Sequence, residues 1–155
     1  MMDSCGIEFR TLSREWKRAL ADFFDILKST GDDKYFHPHP FTIEEATRRC
    51  NYSGNDLYYI CTEGKTILAY AMIRGWDEGY AIPSLGLAIH PAARSIGLGK
   101  AFIHFLHVMA YRRGARRIRI KVYPDNRPAI ELYKKIGYKF EEQEGEQYVG
   151  FFNLD

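Results

Sequence analysis

The sequence predicts a single α/β domain: a mixed sheet of about seven strands with helices on both faces. Three observations predict it. Three strand-like segments precede a strand–helix–strand–helix core. A turn bearing two glycines joins the fourth strand to the longest helix, and a hairpin pattern closes the chain. The length of 155 residues suits one hydrophobic core, so residues 1–155 are assigned to one domain. No repeat, low-complexity segment or linker interrupts them.

Gly6 to Leu12 reads as the first strand, with Ile7, Phe9 and Thr11 alternating against Glu8 and Arg10. Ser13 is a candidate N-cap, and Trp16, Leu20, Phe23, Phe24 and Leu27 follow at helical spacing. Gly31-Asp-Asp ends that helix. Thr42 to Cys50 reads as a second helix, with Thr42 and Glu45 spaced as a capping box. Leu57–Thr62 and Thr66–Ile73 are strands around a Glu63-Gly64-Lys65 turn. Tyr80–Ile89 is the fourth strand, where Pro83 predicts an edge or a late onset of pairing. Leu98–Arg113 is the longest helix, with an apolar face of Leu98, Ala101, Phe102, Phe105, Val108 and Met109, and Gly114 closes it. Arg117–Val122, Pro128–Ile136, Tyr138–Glu142 and Gln147–Asn153 complete the pattern as strand, helix, strand and strand.

Composition narrows the function. Apolar residues make up 46% and charged residues 27%, as in ordinary soluble domains. A net charge of +2 is too small to indicate nucleic acid. The aromatic share of 15% supplies core and also suits an apolar ligand cleft. The basic run holds Arg112, Arg113, Arg116, Arg117, Arg119 and Lys121. Its first two members complement a helix C-terminus, and the rest are candidates to attract phosphate. Cys5, Cys50 and Cys61 are odd in number and lack metal spacing, which predicts free thiols in a reducing cytoplasm. The first five residues do not have a secretion-signal pattern, and no apolar run has membrane-spanning length. The expectation is a cytoplasmic protein, monomer or homodimer, with neither membrane nor nucleic acid as partner.

The turn Arg94-Ser95-Ile96-Gly97-Leu98-Gly99-Lys100 carries the chemistry. It follows the apolar run Ser84-Leu-Gly-Leu-Ala-Ile-His-Pro91 and opens a helix. Bare backbone at a strand-to-helix turn lets successive N–H groups converge on an anion, and the helix dipole adds to the attraction. A dinucleotide fingerprint fails because Phe102 stands where a third glycine is required. A nucleotide-triphosphate loop fails because Arg94 stands where its first glycine is required and Ala101 follows Lys100. The remaining pattern, Arg-x-x-Gly-x-Gly after Ile-His-Pro, resembles the coenzyme A pyrophosphate loop of the GNAT superfamily of N-acetyltransferases. A second stretch, Tyr123-Pro-Asp-Asn126-Arg-Pro-Ala129-Ile-Glu-Leu132-Tyr133 through Gly137-Tyr138, resembles that family's second signature. The resemblance covers about Leu57 to Phe140.

The resemblance implies a GNAT-like fold with a splay after the fourth strand, and acetyl-CoA as co-substrate without a metal. It implies that Leu87, Ala88 and Ile89 meet the pantetheine arm and thioester, with Gly86 supporting a bulge. It implies that the backbone of Ser95, Ile96, Gly97, Leu98, Gly99 and Lys100 holds the pyrophosphate, with Arg94 at the loop's start. Asn126 would meet the pantetheine arm across the gap. Tyr133 would give a proton to the departing thiolate, where the plainer account is core packing beside Leu132 or Ile136. The base is open: Lys121 stands where some members place Glu, Ile82–Ile89 holds no carboxylate, and Glu78 lies in the turn before it. His90 is a candidate by residue type but sits at a strand end, and a water chain or a neutral acceptor also serves.

Tyr35-Phe-His37-Pro-His39-Pro-Phe41 lies outside both signatures. His37 and His39 have the spacing of a metal pair, but no third ligand lies nearby. The stiff loop is instead expected to wall the acceptor cleft, with either His binding the amine. The expected function is acetyl-CoA-dependent transfer to the primary amine of a small molecule, amino sugar or peptide. The alternative is a non-catalytic acyl-CoA sensor, for which both Asn126 and Tyr133 would be unnecessary.

Overall fold

A computed structural model describes residues 6–155. Cys5 and the five-residue start lie outside the described residues. Seven strands form one sheet in the order β1-β2-β3-β4-β5-β7-β6. The strands are β1 Ile7–Thr11, β2 Leu57–Glu63, β3 Thr66–Arg74, β4 Ser84–Ile89, β5 Arg117–Val122, β6 Lys139–Glu144 and β7 Gln147–Asn153. Four α-helices join them: α1 Lys17–Thr30, α2 Ile43–Cys50, α3 Leu98–Arg112 and α4 Arg127–Ile136. Neighbouring strands are antiparallel except β4 and β5, so the sheet is mixed. The terminal hairpin folds its last strand inward, which puts β7 between β5 and β6.

Two cores flank the sheet. On one face Leu98, Phe102, Ile103 and Leu106 of α3 and Tyr133 of α4 pack on Ala71, Ile73, Ile118 and Ile120. On the other, Leu20, Phe23, Phe24 and Leu27 of α1 and Ala46 of α2 pack on Tyr58, Ile60, Tyr70 and Met72. This second core reaches only as far as Ala88 of β4, so no helix contributes to it over β5, β7 and β6.

Several expected boundaries shift for physical reasons. Ser13 precedes a 3-10 turn, Arg14–Trp16, makes no side-chain cap bond, and α1 begins only at Lys17. Thr42 does cap α2, accepting from the Glu45 N–H at 3.1 Å, but the Glu45 carboxylate turns to Arg48 and Arg49 instead of closing a capping box. Pro83 delays β4 to Ser84, because a proline cannot donate to the ladder. The β3–β4 register runs without a shift from Arg74↔Ser84 to Ala69↔Ile89, so Gly86 makes no bulge. A Cβ there would stand 2.9 Å from Met72 Sδ and 3.3 Å from Phe36, so the glycine makes room for both.

The buried stripe of α3 is Leu98, Phe102, Ile103, Leu106, His107 and Ala110, while Ala101 and Val108 face solvent. The helix is apolar on too many sides for periodicity to fix its phase, and a polar residue completes its buried side. His107 stacks on Phe152 at 4.4 Å and pairs with the Tyr138 hydroxyl at 2.7 Å. Burial, with His104 adding repulsion, pushes its pKa down to about 4.

His107 therefore folds in its neutral form. The stability this supplies is complete above the ordinary histidine pKa near 6.5 and is lost as pH falls from there to about 4. The difference amounts to roughly 3 kcal/mol. Chemical denaturation of wild type and His107→Gln across pH 4–7 should show the variant less stable at pH 7, with the gap narrowing steadily toward pH 4. A gap that stays constant would contradict this account.

Candidate active site

The sheet forks between β4 and β5. Their register holds at one pair, Ser84↔Arg119, next to the Arg119 N–H bonded to the Pro83 carbonyl at 3.0 Å. Beyond that pair the strands separate. Backbone direction alternates along a strand, and the His90 N–H bonds to Leu68 of β3. Alternation therefore turns Leu87 and Ile89 toward the fork and Ala88 toward β3. Of the three residues expected to meet a pantetheine arm, Leu87 and Ile89 offer backbone groups to the gap. Ala88 belongs to the core beneath α1.

β4 then runs into the glycine turn. Pro91–Ala93 is a 3-10 turn, with the Ala92 N–H bonded to His90 Nδ1 at 3.0 Å. That cap occupies His90, the strand-end base candidate. Ser95 is the sole non-glycine residue with positive φ, +62°, among the described residues, and Gly97 follows at φ +82° as N-cap of α3. Two left-handed residues in three roll the backbone into a concave cradle. Among the described residues, no acceptor is paired with the backbone N–H groups of Ser95 to Lys100; the helical ladder resumes with the Ala101 N–H on the Gly97 carbonyl at 3.1 Å. The two glycines have different jobs. Gly97 supplies conformation, whereas a Cβ at Gly99 would stand 3.3 Å from Leu132. Gly99 thus lets Leu132 of α4 pack against the start of α3.

Arg94 does not lean over this cradle. Its guanidinium turns back, donating to the Ile89 carbonyl at 3.0 Å and to Asp32 at 2.8 Å. It ties the end of β4 to the segment after α1. The rest of the basic run lies elsewhere. Arg119 is level with Ser84, five residues before the end of β4, or about 17 Å along the strand. Arg117 pairs with Glu141, and Arg119 and Lys121 pair with Glu144. They do not converge on the cradle, because Ile118, Ile120 and Val122 take the face packed on α3 and alternation turns these three to the opposite face.

Asn126 is the N-cap of α4 and makes no side-chain cap bond, so its amide is uncommitted. Tyr133 is 8% exposed and stands 5.1 Å from Tyr138 in an edge-on pair. Its hydroxyl bonds to nothing among the described residues, although it is not one of the sealed, unpaired polar atoms. Burial drives the phenol's pKa far above its ordinary value, so it keeps its proton at every physiological pH.

The Tyr35–Phe41 segment closes the far side of the fork. Tyr35 donates to Asp125 at 3.2 Å, and His37 Nε2 meets the Tyr123 hydroxyl at 2.9 Å. Phe36 lies on Gly86. His39 is committed to packing. Its Nδ1 bonds to the Pro40 carbonyl at 2.8 Å and therefore carries the proton, and the Tyr70 hydroxyl lies 2.8 Å from Nε2. Burial pushes its pKa down, and Phe24 and Phe41 surround it. The paired histidines thus serve different ends, and only His37 borders the fork. Sequence reasoning passed over Tyr123, Tyr35 and Asp125. The signal was a tyrosine directly after a strand and just before the Pro-Asp-Asn run.

Residues 20–138 match the Acetyltransferase (GNAT) family. The chain belongs to the GNAT acetyltransferase family. Solved structures agree in fold. The GNAT domain of S. lividans PAT superposes with a TM-score of 0.82 at 17% identity, covering 95% of this chain and 90% of that one. A GNAT acetyltransferase from Streptococcus pneumoniae gives 0.80 at 20% identity, covering 97% and 100%. The PaiA N-acetyltransferase from Thermoplasma acidophilum, solved in complex with coenzyme A, gives 0.76 at 18% identity, covering 96% and 99%. At such identities the likeness is one of fold, and together with the family match it supports acyltransferase activity. No helix among the described residues is long and apolar enough to cross a membrane.

Gly86→Val should displace Phe36 and Met72 and loosen the Tyr35–Phe41 segment from the fork. Overpacking of this kind costs about 1–3 kcal/mol. Thermal denaturation should show a Tm lowered by several degrees; an unchanged Tm would mean that the segment does not rest on this glycine.

Proposed function

We propose that this GNAT-family protein is an acetyl-CoA-dependent N-acetyltransferase acting on a primary amine. The observation that carries the proposal is the continuity of the fork with the cradle: unpaired backbone of β4 runs directly into unpaired N–H groups at the start of α3. A thioester arm fits the first and a pyrophosphate fits the second. Acetyl-CoA, when bound, supplies the activated acyl group. The N–H groups of Ser95 to Lys100 hold the pyrophosphate, Leu87 and Ile89 pair with the arm, and the Asn126 amide reaches it from β5's side. Arg94 acts as a positioning residue, bracing the Ile89 carbonyl and anchoring Asp32.

Tyr133 is the proton donor. A phenol that stays protonated and lacks an internal acceptor is free to donate to a sulfur that gains charge as its bond to the acyl carbon breaks. His37, Tyr123 and Phe36 wall the side from which the amine arrives, and positioning of the amine against the thioester lowers the barrier further. The protein lies in the cytoplasm under this reading, where acetyl-CoA and free thiols coexist.

Tyr133→Phe preserves the ring and its packing but removes the donor. Its turnover should fall by ~10²–10⁴-fold while acetyl-CoA affinity holds, because the sulfur acquires charge only as the bond breaks. Steady-state thiol release with a calorimetric titration tests this; wild-type turnover, where chemistry limits the rate, removes Tyr133 from the mechanism.

Gly97→Asp and Gly97→Asn separate charge from shape at the cradle. Both place a side chain at a left-handed position that asparagine and aspartate tolerate. The Asp variant should bind acetyl-CoA at least ~10-fold more weakly than the Asn variant, since a carboxylate there repels pyrophosphate. Equal affinities by calorimetry would move the phosphate site elsewhere.

A further inference from the structure

The sheet face opposite α3 and α4 carries a cleft of about 710 Å³ that none of the residues considered so far explains. It begins at the fork itself, since Ser84 and Arg119, the last paired residues, both line it. Tyr80 and Ile82 of the β3–β4 connection form one side, and Lys121, Glu144 and Phe151 form the other. Its volume suits a small-molecule site. We propose that this cleft receives an acceptor amine that also carries an anionic group, carboxylate or phosphate, with Arg119 and Lys121 binding the anion. The inference rests on the N-acetyltransferase reading and names its acceptor class.

Charge is the first argument. Two cations face one carboxylate: Glu144 bonds to Arg119 at 2.6 Å and lies 3.5 Å from Lys121. The third cation of the strand, Arg117, is paired with Glu141 and lies over the ring of Phe151. The cluster therefore holds a positive excess at the cleft wall. Glu144 is held only weakly, because its side chain is 57% exposed and it sits next to the Gly145 turn. Exposed ion pairs of this kind contribute little, so a ligand carboxylate or phosphate can displace it or share its partners. Arg119 Nε is sealed off without a partner among the described residues, so the guanidinium meets a ligand through its terminal nitrogens.

Position is the second argument. Counted from the one paired step, Ser84↔Arg119, Lys121 lies two residues on along β5, as Gly86 does along β4, one residue before Leu87. An anion at Arg119 and Lys121 and an amine opposite Leu87 are therefore separated along the strands by one to three residue rises, about 3–10 Å, to which the opening of the fork adds. A chain of two or three carbons spans the shorter part of that range. A diamine of the same length brings a second cation against Arg119 and Lys121 and is disfavoured.

The carboxylate arm of the test compares 4-aminobutyrate with 4-aminobutanamide and 1,4-diaminobutane. The phosphate arm compares phosphoethanolamine with ethanolamine. Ligand-observed NMR titrations are run on the free protein and again with coenzyme A, so the readout does not depend on turnover. The anionic member of at least one pair should bind at least ~10-fold tighter than its neutral partner. Lys121→Gln and Arg119→Gln should each erode that preference, and Glu144→Gln should strengthen it. Lys121 is 40% exposed, so its replacement leaves the fold intact. A preference in only one arm identifies carboxylate or phosphate as the group recognised. Equal binding within both pairs, or a preference that survives the double Arg119→Gln, Lys121→Gln variant, overturns the inference. Thiol release from acetyl-CoA with the same probes keeps the two proposals apart. Turnover without anion preference sinks only the acceptor class, and anion preference without turnover on any amine sinks only the transferase.

Discussion

The site depends on a hydrogen-bonding ladder that stops after one step. β4 and β5 are held at Ser84 and Arg119 and nowhere beyond. Parallel pairing would satisfy the backbone of Leu87 and Ile89; its loss leaves Leu87 and the Ile89 N–H without a strand partner, while Arg94 takes the Ile89 carbonyl. The fold accepts that cost because each strand is secured on its other side, β4 along β3 and β5 along β7. A strand held along one side keeps its unpaired edge in a fixed place for a ligand. The same fork gives access to both faces of the sheet, one built on α3 and α4 and the other on the chain between α1 and α2.

That second wall comes from a sequence-distant tether. Tyr35 and His37 reach Asp125 and Tyr123 across the opening, and Arg94 holds Asp32 at the other end of the same stretch. One short segment therefore touches the end of β4, the end of β5 and the approach to the cradle. Its prolines limit its freedom, and His39, fixed between Pro40 and Tyr70, pins it to the core under α1.

The places where sequence reasoning erred share one cause. The expected face of α3 took in Ala101 and Val108, whereas the buried side runs through Ile103, Leu106 and His107. Only the partner ring of Phe152 and the hydroxyl of Tyr138 make its burial favourable. Gly86 suggested a bulge, but its reason is Phe36, fifty positions earlier in the chain. Arg94 suggested a phosphate ligand, and its charge is taken by Asp32. In each case the deciding atom belongs to a residue far along the chain, which no local pattern displays.

What the sequence by itself determined was local. Alternation and period placed the strands and helices, Pro83 delayed β4, and the two glycines with Asn126 and Tyr133 marked the cradle and the helix beside it. Those features follow from backbone sterics and neighbouring residues, so they can be read in order along the chain. Tertiary structure alone decided where β4 and β5 part, which histidine faces the fork, and how Arg119 and Lys121 come to share a cleft with Glu144. Strand separation, side-chain commitment and charge balance depend on distances between segments, and those distances exist only once the sheet has closed around them.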